Sequence, residues 1–475
     1  MSYRLPATFA ISLLAMLPGC AVGPDYHPPT LADGAQSPLV SVVPSVENSS
    51  QPPEQWWELY HAPLLDEYLQ EAFKANADLK VAAANLSAAR AVLQAARNGR
   101  YPQTAASVGY TYGRDAVTDE ILEIGGQAPK NISIYDAILD MSYEVDLVGR
   151  VRRSIESASA EADEVAAVRD SVRITVAAET ARAYAQVCAL GEELDVVQHS
   201  LEIVRRQAEI AQRRNDAGAN SEFDVVRAQG LVAQVKAAIP PLRGQRQAAT
   251  FQLAALMGRT PINAPTEVQG CVTAPTLRDL IPVGDGASLL RRRPDVRQAE
   301  RRVAAATAKI GVATADLYPR ISLTGFVGGV SSELNLLTTN QGVTWGVGPS
   351  IAWTFPNQAG PRARIRQAKA NTAAALANFD SVVLQALKET EQALTGYGAE
   401  LERRQALAEA QERAHRAFEM ARDQISAGAI SNLDLLTSEQ SLVVADQAVA
   451  ASDAALAQDQ IAVFKALGGG WRTSP

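Results

Sequence analysis

The 475-residue chain has little of what reactive sites are built from: four His, three Cys, five Met, and only 5% aromatic residues. His27, His61, His199 and His415 are scattered, with no partner at ligand spacing. No phosphate-binding Gly loop and no nucleophile elbow occurs, and five Met give no basis for a soft-metal relay. The sequence therefore predicts a protein that is not an enzyme, with no cofactor and no metal site. The net charge of −8 is mild and no basic block is present, so nothing points to nucleic acid. The apolar run Phe9–Leu17 is too short to span a bilayer as a helix. Cys188, in a helical pattern, and Cys271, in a Pro-rich connector, could pair in an exported protein, but they match no metal or redox spacing and isolated thiols are the favoured reading.

What the chain does have is alanine, interleaved with Gln, Glu and Arg. That is helix-forming composition suited to close helix–helix approach. It also has one stretch twice. Ala217-Gly218-Ala219-Asn220-Ser221-Glu222-Phe223-Asp224 returns as Ala427-Gly428-Ala429-Ile430-Ser431-Asn432-Leu433-Asp434, offset by 210 residues. Gly218 and Gly428 sit where a helix C-terminus wants a left-handed residue. Ser221 and Ser431 sit at N-caps, each with an Asp three residues on in a capping-box pattern. Each copy reads as the tip of a helical hairpin.

The flanking chain divides accordingly. Residues 1–19 read as a signal peptide, and Leu17-Pro18-Gly19-Cys20 resembles a bacterial lipobox, implying cleavage and acylation at Cys20. Residues 20–62 read as a lipid-anchored tether, 63–258 as a first structural repeat and 259–285 as a Pro- and Gly-rich equatorial connector. Residues 286–468 read as a second repeat and 469–475 as a tail. Within the repeats, alternation predicts strands over about 105–112, 134–145, 321–330 and 343–355, with tips at about 216–221 and 426–431. A helical pattern runs from after Gly149 to about Asn215, roughly 100 Å at 1.5 Å per residue. Its distal half keeps a coiled-coil seam from Val187 to Ala211. The helix after the first tip is expected to bend or break at Pro240-Pro241. The last helix repeats the spacing at Leu433, Leu436, Gln440 and Val443.

The halves align in detail. Asp78–Pro102 matches Asp295–Pro319, with Tyr101-Pro102 against Tyr318-Pro319. Gly149 to Gly218 is 69 residues and Gly360 to Gly428 is 68, whereas the strand–loop–strand region changes length between copies. A loop tolerates such change; two helices spanning one distance do not. Four strands cannot close a membrane barrel, because single-chain barrels begin at about eight. Lipid offers strand edges no hydrogen bonds, so spanning strands require several copies in one barrel. Asp224 and Asp434 admit two compatible readings: helix caps alone, or acidic groups that form a ring once copies assemble. Arg291-Arg292-Arg293 reads as a solvated or salt-bridged helix end rather than a ligand site.

These features resemble the outer membrane factor family, the TolC-like channels, and within it the OprM/NodT-type efflux lipoproteins. The resemblance is carried by Cys20 with Val22-Gly23-Pro24-Asp25-Tyr26, by Trp56-Trp57, and by Leu289 to Asp295. Tyr318 to Gly325 and the two tips complete it. It implies a mainly α protein with a membrane β-barrel, four strands per chain in a trimeric twelve-strand barrel, and long coiled-coil helices forming a periplasmic tunnel. It implies residence in the outer membrane of a Gram-negative bacterium, with partners in a periplasmic adaptor and an inner-membrane transporter of the resistance-nodulation-division (RND) type. Ala217, Gly218, Ala219 and Ser221, with Ala427, Gly428, Ala429 and Ser431, would contact the adaptor. Asp224 and Asp434 would lie near the entrance. TolC carries a Tyr and an Arg as gate latches where this chain has Ile425 and Ile430, so its gate would be held differently.

The expected function is a passive exit duct for drugs or toxic small molecules. Protein secretion or major-facilitator-linked export through the same duct is the alternative, and a poreless periplasmic scaffold lipoprotein is a third reading. The duplicated strand pair separates duct from scaffold, because a scaffold needs no membrane strands.

Overall fold

A computed structural model of the chain describes residues 21–42, 47–48, 50–114, 119–120, 123–126, 128, 131–219, 221–277, 280–427 and 429–469. The expected signal peptide, Cys20, Gly428 and residues 470–475 of the tail lie outside the described residues. In chain order the elements are β1 (Glu47–Asn48), a 3-10 turn (Trp56–Tyr60), α1 (Pro63–Ala75), α2 (Ala77–Asn98), β2 (Gln103–Gly113) and β3 (Ile132–Val145). Then come α3 (Arg150–Asp216), α4 (Glu222–Leu256), β4 (Ile281–Pro282), α5 (Gly286–Arg292) and α6 (Pro294–Ala315). The chain closes with β5 (Arg320–Ser331), β6 (Val343–Ala352), α7 (Ala359–Ser426) and α8 (Asn432–Ala466). Among the described residues no helix is long and apolar enough to cross a membrane.

Two compact units form. One takes the described part of Met1–Pro29 with Ser87–Glu164 and Ala299–Asn378, and contains the four-stranded sheet. That sheet is antiparallel throughout, in the order β2-β3-β5-β6. Its register pairs Gln103 with Ser142, Ser142 with Thr324 and Thr324 with Gly348, so these residues share a face. Because side chains alternate, that face receives Asp136, Asp140, Glu144 and Arg320, the only charged residues of the four strands. The opposite face carries none. It presents Val108, Tyr110, Tyr112, Leu139, Val327, Trp345, Val347 and Ile351, all large, apolar and exposed. Eleven residues at about 3.3 Å, tilted about 40°, rise roughly 28 Å, which matches an apolar band of about 25 Å.

The second unit takes Thr30–Leu86, Val165–Gln298 and the described part of Phe379–Pro475. Its core is built where aromatics are concentrated. Trp56 stacks on Phe464 of α8 at 4.9 Å, edge-on to Trp57 and Tyr60. Leu65 and Leu69 of α1 join Val187 of α3, Leu253 of α4, Leu394 of α7 and Ile461 in the same buried cluster. The expected seam of α3 is buried from Val187 through Val204, and Leu194, Val197, Leu201 and Val204 pack on Leu231, Val235 and Ile239 of α4. That packing carries α4 through Pro240-Pro241 as one helix, so the expected bend or break is not a break. Both proline rings are exposed, so only the ladder bond is lost while the buried stripe continues.

The thiols depart from the favoured reading as isolated residues and follow the other one. Cys188 and Cys271 form a disulfide, with Cα atoms 4.8 Å apart. The connector approaches α3 so closely that a Cβ on Gly191 would lie 2.3 Å from the Cys271 carbonyl. Arg246 of α4 holds it there, donating to the carbonyls of Gln269 and Cys271 at 2.8 and 2.7 Å. The arginine run is structural: Arg293 pairs with Asp295 at 2.7 Å and Glu389 at 2.8 Å, and donates to the Ala466 carbonyl at 2.9 Å.

The cross-link closes a loop spanning 83 residues. Cys271→Ser is therefore expected to cost about 4 kcal/mol by chain entropy, lowering the thermal midpoint. An unchanged midpoint after reduction would show that packing alone holds the connector.

Candidate functional site

Each hairpin tip is a helix stop followed at once by a helix start. At the first, Gly218 adopts a φ of +71°, a left-handed conformation in which a side chain would be strained. Its N–H donates to the Asn215 carbonyl and that of Ala219 to Arg214, both at 2.8 Å, the Schellman pattern that satisfies the last carbonyls of α3. At the second, Ala429 donates to Gln424 at 2.9 Å, the same six-residue closure. Ala217, Gly218, Ala219, Ser221, Ala427, Ala429 and Ser431 are all exposed.

α4 and α8 then open with matched capping boxes. The Asp224 N–H donates to Ser221 Oγ at 3.3 Å, while the Ser221 N–H and Oγ–H reach Asp224 Oδ2 at 3.3 and 2.8 Å. The Ser431–Asp434 twin has 3.3, 3.0 and 2.6 Å. Those contacts hold the Asp434 carboxyl below its ordinary range, Ser431 being the cause. Both aspartates thus cap their helices, each using one oxygen and leaving the other for a ligand or solvent.

The tips differ in their apolar support. Ile430, just before the N-cap, and Leu435 four residues after it share a cluster with Phe418, Ala421, Leu442, Ile203 and Ile425. This is a hydrophobic staple, and the first tip has Asn220 at the corresponding place. Ile425 and Ile430 are half-buried by this packing.

Behind the tips lies a cavity of about 280 Å³, lined from four helices. α3 contributes Arg206, Ile210 and Arg214, α4 Asp224 and Arg227, α7 Arg422 and Ile425, and α8 Leu436 and Glu439. Glu439 is 1% exposed, and its Oε1 has no hydrogen-bond partner. Burial pushes its carboxyl up to about 7. The sequence seam through Leu433, Leu436 and Gln440 passed over this residue. In the structure Leu435, Glu439 and Leu442 are buried, while Leu433 is 46% exposed and Gln440 is exposed. The 4-then-3 spacing of 435, 439 and 442 was the available signal, disguised by the acid in its middle.

In the other unit, the residues following Cys20 are tied down. Val22 donates to the Val148 carbonyl at 2.9 Å, and Ala21 lies so near that a Cβ on Gly149 would be 2.6 Å from its Cα. Arg153 donates to Val22 O at 3.2 Å and to Asp25 at 2.7 Å, and Tyr26 donates to Glu300 at 2.9 Å. The chain just after Cys20 therefore sits at the junction of β3 and α3.

Comparison with known proteins places this arrangement. Residues 68–259 and 287–469 match the family described as outer membrane efflux protein. The chain belongs to that family. It is 28% identical to nodulation protein T of Rhizobium leguminosarum bv. viciae, over 99% of this chain and 94% of that protein. It is 29% identical to the pyoverdine export outer membrane protein OpmQ of Pseudomonas putida, over 94% of each. The solved outer-membrane channel OprN superposes with a TM-score of 0.87 at 33% identity, covering 95% of this chain and all of that one. The protein is a TolC-like outer membrane efflux channel: mostly helical, with a small antiparallel sheet whose uncharged face suits lipid.

The capping boxes give this efflux protein a local test. Ser431→Ala is expected to cost the second tip about 1 kcal/mol, read as roughly fivefold faster amide exchange in the first turn of α8. Because the folded Asp434 carboxyl is depressed, its contribution is present above the ordinary carboxylate range and lost as pH falls through the depressed value. The excess exchange of the variant should accordingly fade in acid. An undiminished difference in acid would contradict the capping role.

Proposed function

We propose that this channel is the exit duct of a tripartite efflux pump, passing drug-like or toxic small molecules delivered by an RND-type inner-membrane transporter through a periplasmic adaptor. The observation that carries the reading is the sheet: four strands, one face without a charge, and an outer edge on both β2 and β6 that is unpaired among the described residues. Three copies would supply twelve strands and remove every edge. α3 and α7, of 67 and 68 residues, would line the periplasmic passage. Export as the task of such a channel is supported by the similarity to OpmQ, whose name gives pyoverdine export.

The exposed small residues of the tips, Ala217, Gly218, Ala219 and Ser221 with Ala427, Ala429 and Ser431, together with Gly428 by its place in the sequence, are the adaptor-contacting surface in this reading. Small side chains let a partner helix approach the backbone closely. Asp224 and Asp434 stand beside the entrance, and three copies of each would ring it with negative charge. Ile425 and Ile430 hold the second tip by apolar packing rather than through a polar latch. Cys20 carries the acyl anchor. Its neighbours Ala21 and Val22 are bound where β3 ends, which would bring the acyl chains to the foot of the membrane strands.

Purified protein in planar lipid bilayers is expected to give stepwise single-channel currents, and Asp434→Ala, which loosens the second tip, to increase them. Absence of any current from both proteins would contradict the duct and favour a poreless scaffold.

A further inference from the structure

The cavity behind the tips contains a group that the duct itself does not require. Glu439 reaches into it from α8 with one oxygen unpartnered and almost no solvent contact. The charged groups facing it are Arg206 and Arg214 of α3, Asp224 and Arg227 of α4, and Arg422 of α7; α8 adds no other charge to the lining. Two of these arginines are engaged: Arg214 donates to Asn432 at 3.4 Å, and Arg227 lies 5.5 Å over the Phe223 ring. Arg206 and Arg422 are exposed at the rim, with no partner among the described residues. Burial alone sets the carboxyl's behaviour, so in this arrangement no guanidinium lies close enough to offset it.

A buried carboxylate without a counter-charge is among the least favourable groups a core can hold. Here its remedy stands a helix away. The duplicate hairpin has no such tension: at the 210-residue offset, Glu439 corresponds to Gln229, which is exposed.

We propose that Glu439 is a charge latch between the two hairpins, which on losing its proton draws Arg206 or Arg422 from the rim into the cavity and re-seats α8 at the tip. The proton passes to solvent, and the new ion pair replaces a neutral carboxyl buried in the cavity lining. The sign follows from the raised value. The packing described here is favoured below about pH 7, where the carboxyl is neutral, and becomes progressively unfavourable as pH rises through that value. The latch rests on the reading of the tips as the channel entrance, because re-seating α8 alters the opening there.

The test uses the full-length protein in planar bilayers between about pH 5.5 and 8.5, with Glu439→Gln and the double variant Arg206→Gln/Arg422→Gln. Open probability of the wild type is expected to change roughly tenfold with a midpoint near pH 7, while E439Q stays at the acid-side level throughout. The double variant, lacking the partners, should lose the high-pH state although its carboxyl is intact. A conducting wild type without this titration, or an E439Q that titrates like it, overturns the latch. If no protein conducts at any pH the duct reading fails, and amide exchange of residues 435–442 then decides. Protection that falls through pH 7 in the wild type but not in E439Q supports the latch, and equal profiles overturn it.

Discussion

The rest of this structure depends on a backbone that cannot leave its hydrogen bonds unmade in hydrocarbon. The sheet offers an uncharged face to lipid and keeps all four of its charged residues on the other, yet β2 and β6 each end the sheet with an edge that no described strand of the same chain covers. In water such an edge is a liability managed with charge or proline; in a bilayer it must be paired. A chain with this sheet is therefore a fraction of a barrel, and the need for further copies follows from its strand edges rather than from any contact within one copy.

The helices answer a different requirement. α3 and α7 differ by one residue in length, and each ends in the same stop-and-start device. Each tip joins its helices with very few residues because a six-residue backbone closure, the N-cap Ser and the following Asp satisfy backbone groups that would otherwise be orphaned. Duplication made the two tips alike in backbone. Their side chains then diverged: the second gained the Ile430–Leu435 staple and a buried acid, where the first has Asn220 and an exposed Gln229.

Much of this was legible in the chain. The caps could be read because Ser-x-x-Asp after Gly has few other structural meanings, and the strands because apolar residues at Val108, Tyr110 and Tyr112 alternate with small ones. The buried seam of α3 was readable from Val187 to Val204 because nothing charged interrupts it. What escaped depends on proximity that spacing does not encode. The pairing of Cys188 with Cys271 needs the connector drawn onto α3, which Gly191 permits and Arg246 enforces, and none of these residues announces its partner. Pro240-Pro241 would break an isolated helix, but here a continuous buried stripe on the opposite side outweighs one or two missing bonds. Glu439 was passed over because an acid at a core position looks like a surface residue, and only its burial on the same stripe of α8 as Leu435 and Leu442 shows otherwise.

The most direct test of the central claim is native mass spectrometry of the protein extracted in mild detergent. A single folded species containing three chains is the expected result. A folded, stable single chain with protected amides along both outer strands would contradict the account at its root.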